Sequence, residues 1–338
     1  PLIDEIPSLD GDVVLITGGT GSFGQAFTRR LLSDTKARKI IIFSRDEQKH
    51  YQMARQYQDP RLRFFVGDIR DPKRLRQAFR DVDIIVHAAA MKHVPICEYN
   101  PIEAVQTNID GARNIIEAAI EANVEKVLGL STDKAVAPAN LYGASKLCME
   151  KLLIAANAYV GSRRTRFSLV RYGNVMGSAG SVIPLFREQR NKGKLTITDE
   201  RMTRFYIDMP GAVRLVRRGL EDMCGGEIFI PKLPTADITT LAEAIAPGVP
   251  RETIGIRPGE KLHEQMIGPE DAAHTFEYDD YFKIIPAIHN WSKDPVRIKN
   301  GKKVADDFHY ASDNNPDWMK PEDLQAWIAA NAEKIGKF

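Results

Sequence analysis

The sequence is poor in cysteine, has no long apolar run and carries almost no excess of charge. Three cysteines, Cys97, Cys148 and Cys224, are spread over 338 residues without a metal-ligand spacing, which is typical of reduced thiols in a cytoplasmic protein. No apolar run approaches the roughly 18 residues that cross a bilayer, so we expect no membrane partner. A formal net charge of +2 gives no reason to expect a nucleic-acid partner.

Signals for export and for metal binding are missing as well. Residues 1–5 have neither a basic flank nor an apolar block, so we expect no signal peptide. His87 and His93 have no acidic or cysteine partners to complete a ligand set, so we expect structural roles and no metal. Hydrophobic residues make up 43% and charged residues 27%. These fractions are ordinary for a globular chain, and the length suggests one large domain or two closely packed ones.

A glycine-rich turn follows the first predicted strand. Residues 12–16 are a short β-type run, and Thr-Gly-Gly-Thr-Gly-Ser-Phe-Gly follows at 17–24. Glycines at this spacing suit a tight turn, a close approach of backbone to phosphate, and close packing of the next helix, predicted over residues 23–32. The N-terminus of that helix would face a pyrophosphate. The predicted dinucleotide site is formed by Gly18, Thr20, Gly21, Ser22, Phe23 and Gly24.

The end of the second predicted strand, residues 39–43, selects the cofactor. An NAD site places an acidic residue there for the ribose hydroxyls. This chain instead has Ser44, Arg45 and Asp46, with Lys49 one helical turn later. A guanidinium binds a 2′-phosphate through two hydrogen bonds. Because Asp46 is better explained as the cap of the following helix, NADP is favoured over NAD.

Strands and helices continue to alternate, which predicts an α/β fold with a doubly wound parallel sheet of the Rossmann type. A long helix is predicted over residues 101–122. Ligands of such sheets bind at the carboxyl ends of the strands. There, Asp68 is placed to meet an adenine amino group, and Ala88, Ala89 and Ala90 let the backbone pass close to the cofactor. The further strands are predicted over residues 62–66, 83–87, 126–130 and 167–171.

The candidate catalytic residues follow the fifth predicted strand. Tyr142 and Lys146 would lie one turn apart on a helix, so the ammonium is expected to favour the phenolate and let Tyr142 exchange a proton near neutral pH. Thr132 ends the strand, where its hydroxyl would hydrogen-bond a substrate oxygen. Asp133 and Lys134, between them, are an adjacent acid and base.

In the second half of the chain the alternation weakens and the loops lengthen, which predicts a smaller substrate domain. We expect residues 10–176 to form the NADP-binding domain and residues 177–338 mainly the substrate domain. The two would interdigitate, because the chain is expected to return to the first domain near residues 205–232. Arg204 and Arg257 lie in polar turns of this half and are candidates to clamp a phosphate.

Several motifs along the chain occur together in one group of enzymes. They are Thr-Gly-x-x-Gly-x-x-Gly at 17–24, Ser-Arg-Asp-Glu-Gln-Lys at 44–49, His-Ala-Ala-Ala-Met-Lys-His-Val-Pro at 87–95, Ser-Thr-Asp-Lys-Ala at 131–135, Tyr-x-x-x-Lys at 142–146, Arg-Tyr-Gly-Asn-Val at 171–175, Met-Thr-Arg-Phe at 202–205 and Arg-Pro-Gly-Glu-Lys-Leu-His-Glu at 257–264. With them the chain resembles the extended short-chain dehydrogenase/reductases, and among these the 5-inverting UDP-N-acetylglucosamine 4,6-dehydratases. The retaining dehydratases carry Asp-Glu where this chain has Asp133-Lys134.

The resemblance implies an NADP-dependent lyase that converts UDP-N-acetylglucosamine to UDP-2-acetamido-2,6-dideoxy-β-L-arabino-hex-4-ulose. That reaction opens the synthesis of pseudaminic acid or a related deoxyaminosugar, in a cytoplasmic homo-oligomer (hexamer, dimer or tetramer). The implied NADP contacts are residues 20–23 and 44–49, Asp68, Ile69, Ala88, Lys92, Tyr142 and Lys146. The implied substrate contacts are Asn174, Ile183, Thr196, Arg204, Arg257, Glu260 and Tyr310. Tyr206 departs from the family, which has Trp more often, and leaves the exact sugar open.

The implied chemistry gives each catalytic side chain one task. Tyr142 accepts the O4 proton as NADP⁺ takes hydride from C4, Lys134 removes the proton at C5, and Asp133 protonates the departing 6-hydroxyl. The nicotinamide and Lys146 are expected to lower the pKa of Lys134, as a base near neutral pH requires. In water the ion pair of Asp133 and Lys134 is favoured over the neutral pair by roughly 9 kcal/mol. The sequence therefore leaves the protonation states of this coupled pair open.

Two other functions remain open on the sequence. A sugar-nucleotide 4-epimerase uses the same cofactor site with Thr132, Tyr142 and Lys146, but it needs no acid–base pair at C5 and C6, so Asp133 and Lys134 argue against it. A redox-sensing module of the same fold would not need this complete catalytic set. Additional epimerisation at C3 is compatible with the same residues.

Overall fold

The computed structural model describes residues 9–178, 180–286 and 288–336. The predicted absence of a signal peptide concerns residues 1–5 and lies outside these ranges. The described strands are β1 (Val13–Thr17), β2 (Lys39–Ser44), β3 (Leu62–Val66), β4 (Ile84–His87), β5 (Lys126–Thr132), β6 (Arg166–Tyr172), β7 (Asn174–Val175), β8 (Leu195–Ile197), β9 (Thr203–Ile207), β10 (Ile228–Pro231), β11 (Thr235–Asp237), β12 (Arg251–Thr253), β13 (Gln265–Ile267), β14 (Thr275–Glu277), β15 (Tyr281–Ile284), β16 (Lys302–Lys303) and β17 (Tyr310–Ala311).

The described α-helices are α1 (Ser22–Asp34), α2 (Glu47–Gln56), α3 (Pro72–Ala78), α4 (Val94–Tyr99), α5 (Pro101–Val105), α6 (Gly111–Glu121), α7 (Leu141–Ala156), α8 (Val182–Asn191), α9 (Met209–Asp222), α10 (Ile238–Ile245), α11 (Pro295–Ile298) and α12 (Pro321–Ala330). A π-helical segment covers Gln106–Asp110, and 3₁₀ turns cover Asp133–Ala135, Pro269–His274 and Ile288–Lys293. None of the helices in the described ranges is long and apolar enough to cross a membrane.

One large sheet organises the molecule, with strand order β16-β14-β15-β10-β6-β5-β4-β1-β2-β3. Seven neighbouring strands, from β10 to β3, pair in parallel. Strands β1 and β4 are buried at every residue, because helices cover both faces of the sheet. The predicted doubly wound parallel sheet is therefore confirmed. Three antiparallel strands, β15, β14 and β16, extend it beyond β10.

The long helix predicted over residues 101–122 has a regular start and end but a wider turn in its middle. Its π-helical segment lies between α5 and α6 and carries Asn108, which is buried. Asn108 Oδ1 accepts from the Met91 amide, and Asn108 Nδ2 donates to the Met91 carbonyl, both at 2.9 Å. Asn108 Nδ2 also donates to Ser145 Oγ at 2.9 Å. The wide turn thus ties the loop after β4 to α7, which helical periodicity alone does not predict.

The second half of the chain contributes to both parts of the molecule. Helix α9 packs on α1, and β10 pairs with β6. Both elements belong to residues 205–232, the segment predicted to return to the first domain. Strands β14, β15 and β16 also join the main sheet. A separate apolar cluster, centred on Phe186, Leu241 and Leu324, joins α8, α10 and α12.

Candidate active site

A cavity of about 540 Å³ opens at the carboxyl ends of the parallel strands. Thr132, Lys134 and Asn174 line it together with all the predicted cofactor residues except Glu47 and Gln48 of the range 44–49. The cofactor residues in the lining are Gly18, Thr20, Gly21, Ser22, Phe23, Gly24, Ser44, Arg45, Asp46, Lys49, Asp68, Ile69, Ala88, Ala89, Ala90, Lys92, Tyr142 and Lys146. Nowhere in the described part of the chain do three or more His, Cys, Asp or Glu side chains group as a metal ion would require.

The glycine turn fits a dinucleotide phosphate because its backbone is bare and tightly packed. Gly18 has a φ of 67°, and a Cβ there would lie 2.9 Å from the Cα of Ala89. A Cβ on Gly24 would lie 2.4 Å from the carbonyl oxygen of Gly19. No side chain caps α1 at Gly21. Its first amides are therefore available to an anion, with the positive end of the helix dipole behind them.

Polar side chains gather where β2 ends. The hydroxyls of Thr20 and Ser44 lie 2.7 Å apart, and His50 Nε2 lies 3.1 Å from Ser44 Oγ. Asp46 accepts from the backbone amide of Lys49 at 3.0 Å, which confirms it as the cap of α2. Because Asp46 caps α2, no free carboxylate remains at the end of β2, where an NAD site places an acidic residue. The sequence did not indicate His50, which supports Ser44 from inside α2.

Arg45 and the predicted adenine contact, Asp68, belong to one ionic network. Arg45 Nη1 lies 3.6 Å from Asp68 Oδ2, and Arg70 Nη2 donates to the same oxygen at 2.8 Å. Burial raises the pKa of Asp68, but the hydrogen bonds and charge of Arg70 outweigh it and the pKa falls. Arg70 also donates to Glu103 at 2.6 Å. Asp68 therefore anchors two arginines at this rim of the cavity.

Tyr142 and Lys146 lie one turn apart on α7, and both face the cavity. Burial raises the pKa of the Tyr142 phenol, and a hydrogen bond with Thr132 only partly opposes it. Burial also lowers the pKa of Lys146 to about 8, against the carboxylate of Glu150. Loss of hydration therefore dominates both side chains, and the net shift of the Tyr142 pKa is upward, opposite to the direction expected from Lys146 alone.

Asp133 and Lys134 form the 3₁₀ turn that follows β5 directly. Asp133 is fully buried, and its Oδ1 accepts from Thr132 Oγ1 at 2.9 Å and from Lys134 Nζ at 3.0 Å. Its Oδ2 is buried without a hydrogen-bond partner among the described residues. Lys134 Nζ also lies 3.4 Å from Asn174 Oδ1. The amine thus reaches the cavity while the carboxylate holds it from inside the protein.

Lys134 has a second acidic neighbour that sequence spacing does not indicate. Glu264 is 3% exposed, and its Oε1 lies 3.8 Å from Lys134 Nζ. Burial lowers the pKa of Lys134, but the carboxylates of Asp133 and Glu264 outweigh burial and raise it. The charge of Arg204 also lowers it, but the net shift is upward, opposite to the predicted lowering. Glu264 ends the 257–264 motif, and this was the one signal that could have drawn attention to it.

Arg204 is held by backbone carbonyls of the loop opposite. Its Nη1 donates to Thr203 O at 2.7 Å and to Leu262 O at 2.9 Å, and its Nη2 donates to Lys261 O at 2.9 Å. Its side chain is 15% exposed. In this arrangement Arg204 fixes the path of residues 261–262 beside the catalytic turn.

Of the predicted substrate residues, Asn174 lines the cavity, whereas the described lining does not include the other six. Tyr310 is buried, and its hydroxyl bonds the backbone of Leu233 at 2.9 and 3.1 Å. The Thr196 hydroxyl accepts from Gln189 at 2.7 Å. Of the remaining predicted contacts, Ile183 is buried, Arg257 is exposed and Glu260 is partly exposed. Arg204, described above, is the sixth residue outside the lining.

The loop that carries Arg257 and Glu260 is nevertheless fastened next to the catalytic turn. Asn140 Nδ2 donates to Gly259 O at 2.8 Å, and Lys261 Nζ donates to Val136 O at 2.7 Å. The two hydrogen bonds fasten the loop to residues 136–140, which follow the turn of Lys134 in the chain.

The parallel sheet, the bare glycine turn and the Tyr142–Lys146 pair on one helix define an extended short-chain dehydrogenase/reductase. The structure thereby supports the fold and the superfamily predicted from the sequence. Comparison with known proteins identifies the family within that superfamily. The chain belongs to the family described as polysaccharide biosynthesis protein, which matches residues 14–286.

Named relatives confirm the predicted resemblance. An inverting UDP-N-acetylglucosamine 4,6-dehydratase of Campylobacter jejuni subsp. jejuni serotype O:2 is 52% identical over 92% of this chain and 95% of its own length. A UDP-glucose 4-epimerase of Rickettsia canadensis is 42% identical over 89% of this chain and 91% of its own.

Solved structures agree with the fold. Pen from Bacillus thuringiensis superposes with a TM-score of 0.88 at 37% identity, covering 96% of this chain and 99% of that one. DesIV, a dTDP-glucose 4,6-dehydratase from Streptomyces venezuelae solved with NAD bound, has a TM-score of 0.65 at 26% identity, with coverages of 74% and 86%.

Proposed function

We propose that this protein is an NADP-dependent UDP-N-acetylglucosamine 4,6-dehydratase that inverts C5 and forms UDP-2-acetamido-2,6-dideoxy-β-L-arabino-hex-4-ulose. The observation that carries the proposal is the position of Lys134. Its amine lines the same cavity as Tyr142 and the glycine turn, at the place where the resemblance expects an amine in inverting enzymes. The 52% identity to an inverting dehydratase supports the same reaction.

The residues at the rim of the cavity fit NADP. The amides of the glycine turn would hold the pyrophosphate, and Ser44, Arg45 and Lys49 would hold the 2′-phosphate. Bound there, NADP⁺ would supply the hydride acceptor for C4 of the sugar and, once reduced, the hydride donor for C6. Lys92, whose pKa burial lowers, and Lys146 would lie against the cofactor with Tyr142.

The protein's own side chains move the protons. Tyr142 takes the O4 proton as C4 is oxidised, and the new ketone acidifies the proton at C5. Lys134 removes that proton, and Asp133 gives a proton to the 6-hydroxyl, which leaves as water. A proton then returns to C5 on the opposite face, so the net change is loss of one water with inversion. Because its two carboxylate neighbours keep Lys134 protonated at rest, Lys134 must first pass a proton to Asp133, whose Oδ1 lies 3.0 Å from its Nζ. That transfer leaves a neutral amine to act at C5 and supplies the proton that Asp133 gives to the 6-hydroxyl.

On the substrate side, Asn174, which lines the cavity, would contact the sugar. Arg257 and Glu260, on the loop fastened beside the turn of Lys134, and Ile183, Thr196, Arg204 and Tyr310 remain predicted substrate contacts outside that lining. A place at the start of pseudaminic acid or related deoxyaminosugar synthesis, in a cytoplasmic homo-oligomer, belongs to the same proposal.

The deciding experiment is product analysis by NMR after incubation with UDP-N-acetylglucosamine in D₂O. We expect a 4-keto-6-deoxy product with one deuterium at C5 in the L-arabino configuration, and with C6 carrying the hydrogen that began at C4. A product that keeps the D-configuration at C5 would contradict inversion.

A second candidate is a UDP-sugar 4-epimerase, which is favoured by the 42% identical relative of that name. It would use the same cavity, Thr132, Tyr142 and Lys146, but would leave Asp133 and Lys134 without a task. The same NMR spectrum separates the two, because an epimerase product keeps its 6-hydroxyl and gains no deuterium at C5.

A further inference from the structure

A buried carboxylate that the proposed mechanism does not use faces the amine of Lys134. Glu264 directly precedes β13, and its backbone is fixed by Ser312. Ser312 Oγ accepts from the Glu264 amide at 2.9 Å, and the Ser312 amide donates to Glu264 O at 2.8 Å. These two hydrogen bonds fix the backbone of Glu264, and its side chain extends toward Lys134. Its Oε2 is buried with no hydrogen-bond partner in the described ranges.

Charged groups reach this site from each element packed against it. Asp133 contacts Lys134 from the turn after β5, at 3.0 Å. Arg204 Nε, on β9, lies 3.9 Å from Glu264 Oε1, and Lys261 Nζ lies 3.6 Å from Glu264 Oε2. The amide of Asn174 is the neutral neighbour of Lys134. Two carboxylates thus stand among three cations in a region with little water.

The three cations are held in different ways. Arg204 and Lys261 both donate to backbone carbonyls, so their positions are fixed without Glu264. The hydrogen bonds of Lys134 Nζ go to side chains, those of Asp133 and Asn174. Lys134 is also the member of the three that lines the cavity. The cation held through side chains is therefore the one proposed to act on the substrate, and Glu264 lies 3.8 Å from its Nζ.

We propose that Glu264 is a positioning residue for Lys134. Asp133 and Glu264 together hold the ammonium of Lys134 between two carboxylates. Their charges thereby set the pH at which Lys134 can take a proton from C5. The inference rests on the proposed function, since Lys134 is a base only in that reaction. The proton leaves C5 for Lys134 Nζ, and Glu264 itself makes and breaks no covalent bond.

The test is a single turnover with UDP-N-acetylglucosamine on NADP⁺-loaded protein, followed by the absorbance of the reduced nicotinamide over a range of pH. Absorbance rises when C4 is oxidised and falls after elimination, so the fall reports the step that needs Lys134. Removing a negative charge at this distance lowers the pKa of an ammonium by about one unit or more. Glu264→Gln should therefore move the rising pH limb of the fall to lower pH by that amount and leave the pH dependence of the rise unchanged.

Three further variants sharpen the result. Glu264→Asp keeps the charge and should shift the limb less than Glu264→Gln. The exposed Glu270→Gln, a few residues along the chain, should shift nothing. Lys261→Met removes a cation instead of an anion and should move the limb in the opposite direction, to higher pH. That opposite shift tests the proposal even if Glu264→Gln does not fold.

An unmoved limb in a folded Glu264→Gln variant, or a loss of rate that is equal at every pH, would overturn the positioning role. An unmoved limb in Lys261→Met would do the same. If the wild-type protein oxidises C4 but forms no 6-deoxy product, the proposed function fails first, and the inference falls with it.

Discussion

The cofactor side and the substrate side of the cavity differ in how sequence relates to position. All the predicted cofactor residues except Glu47 and Gln48 line one cavity, whereas Asn174 is the one predicted substrate residue in its described lining. The cofactor residues lie at the carboxyl ends of β1, β2, β3 and β4, on the turns and first helical turns that follow these strands, or on α7. Since parallel strands end at the same edge of a sheet, topology alone brings these turns together.

The substrate side has no such rule. Thr196 and Tyr310 lie on short strands outside the main sheet, and their hydroxyls are bonded within the protein. Arg204 is bonded to three backbone carbonyls. A motif in this half indicates a resemblance, but it does not say whether its residues face the ligand or pack behind the residues that do. Their role as substrate contacts stays a prediction.

The largest effect is expected at Lys134, where the two sides meet. Lys134→Met should still allow oxidation at C4, seen as a rise in reduced-nicotinamide absorbance, but should stall elimination. Loss of a general base costs about 10²–10⁴ in rate. The exposed Lys151→Met, on the outer side of α7, is the matched control and should turn over normally. Near wild-type turnover of Lys134→Met would exclude Lys134 as the base.

A smaller but selective effect is expected on the cofactor side. Arg45→Ala should weaken NADP⁺ binding about ten- to a hundredfold, since a charge-assisted hydrogen bond is worth roughly 1.5–3 kcal/mol. NAD⁺ binding should change little, because it has no 2′-phosphate. Titration calorimetry with both cofactors measures this directly, with Arg55→Ala at the end of α2 as the control. An equal loss for both cofactors would assign Arg45 to the network with Asp68 alone.

The limits of sequence-based prediction follow the same division. The predicted strand at residues 62–66 coincides with β3, and the cap at Asp46 is as predicted, because both depend on neighbouring residues. Asn108 and Glu264 could not be placed, since Asn108 bonds Met91 and Ser145 and Glu264 faces Lys134, all distant in the chain. His50 bonds Ser44, six residues earlier, but no sequence motif indicated that contact. The directions of the pKa shifts at Tyr142 and Lys134 were missed for a related reason: sequence shows neighbours but not burial.

Below neutral pH we expect the buried histidine of the cofactor side to limit stability. His87 Nδ1 is bonded to Thr17 Oγ1 at 2.8 Å, and burial, with the nearby charge of Lys146, lowers its pKa from 6.5 to about 3. Above pH 6.5 the ring is neutral in both folded and unfolded chains. As the pH falls below that value the unfolded chain binds a proton that the folded chain cannot, so stability is lost until about pH 3.

By about pH 5 this loss amounts to roughly 2 kcal/mol. Urea unfolding of the wild type and of His87→Gln at several pH values measures it. The difference in unfolding free energy between the two should change by that amount between neutral pH and pH 5, to the disadvantage of the wild type. Parallel pH profiles would mean that His87 is protonated at no cost and that the site around Lys146 is open to water.

The smallest effect is expected at Arg257, and it decides whether the substrate side is a binding surface at all. The guanidinium is 54% exposed and lies 3.9 Å from Glu260, so an ion pair with a substrate phosphate would be worth about 1 kcal/mol. Arg257→Ala should raise KM for the UDP-sugar by a factor of about five and leave NADP⁺ affinity and kcat unchanged.

Arg251→Ala is the matched control, because Arg251 is also exposed, lies on β12 just before this loop, and is paired with Glu243. If Arg257→Ala and Arg251→Ala have the same KM as the wild type, the loop fastened at Asn140 supports the catalytic turn without touching the nucleotide. The phosphates must then be bound by residues that neither the motifs nor the described cavity lining identify.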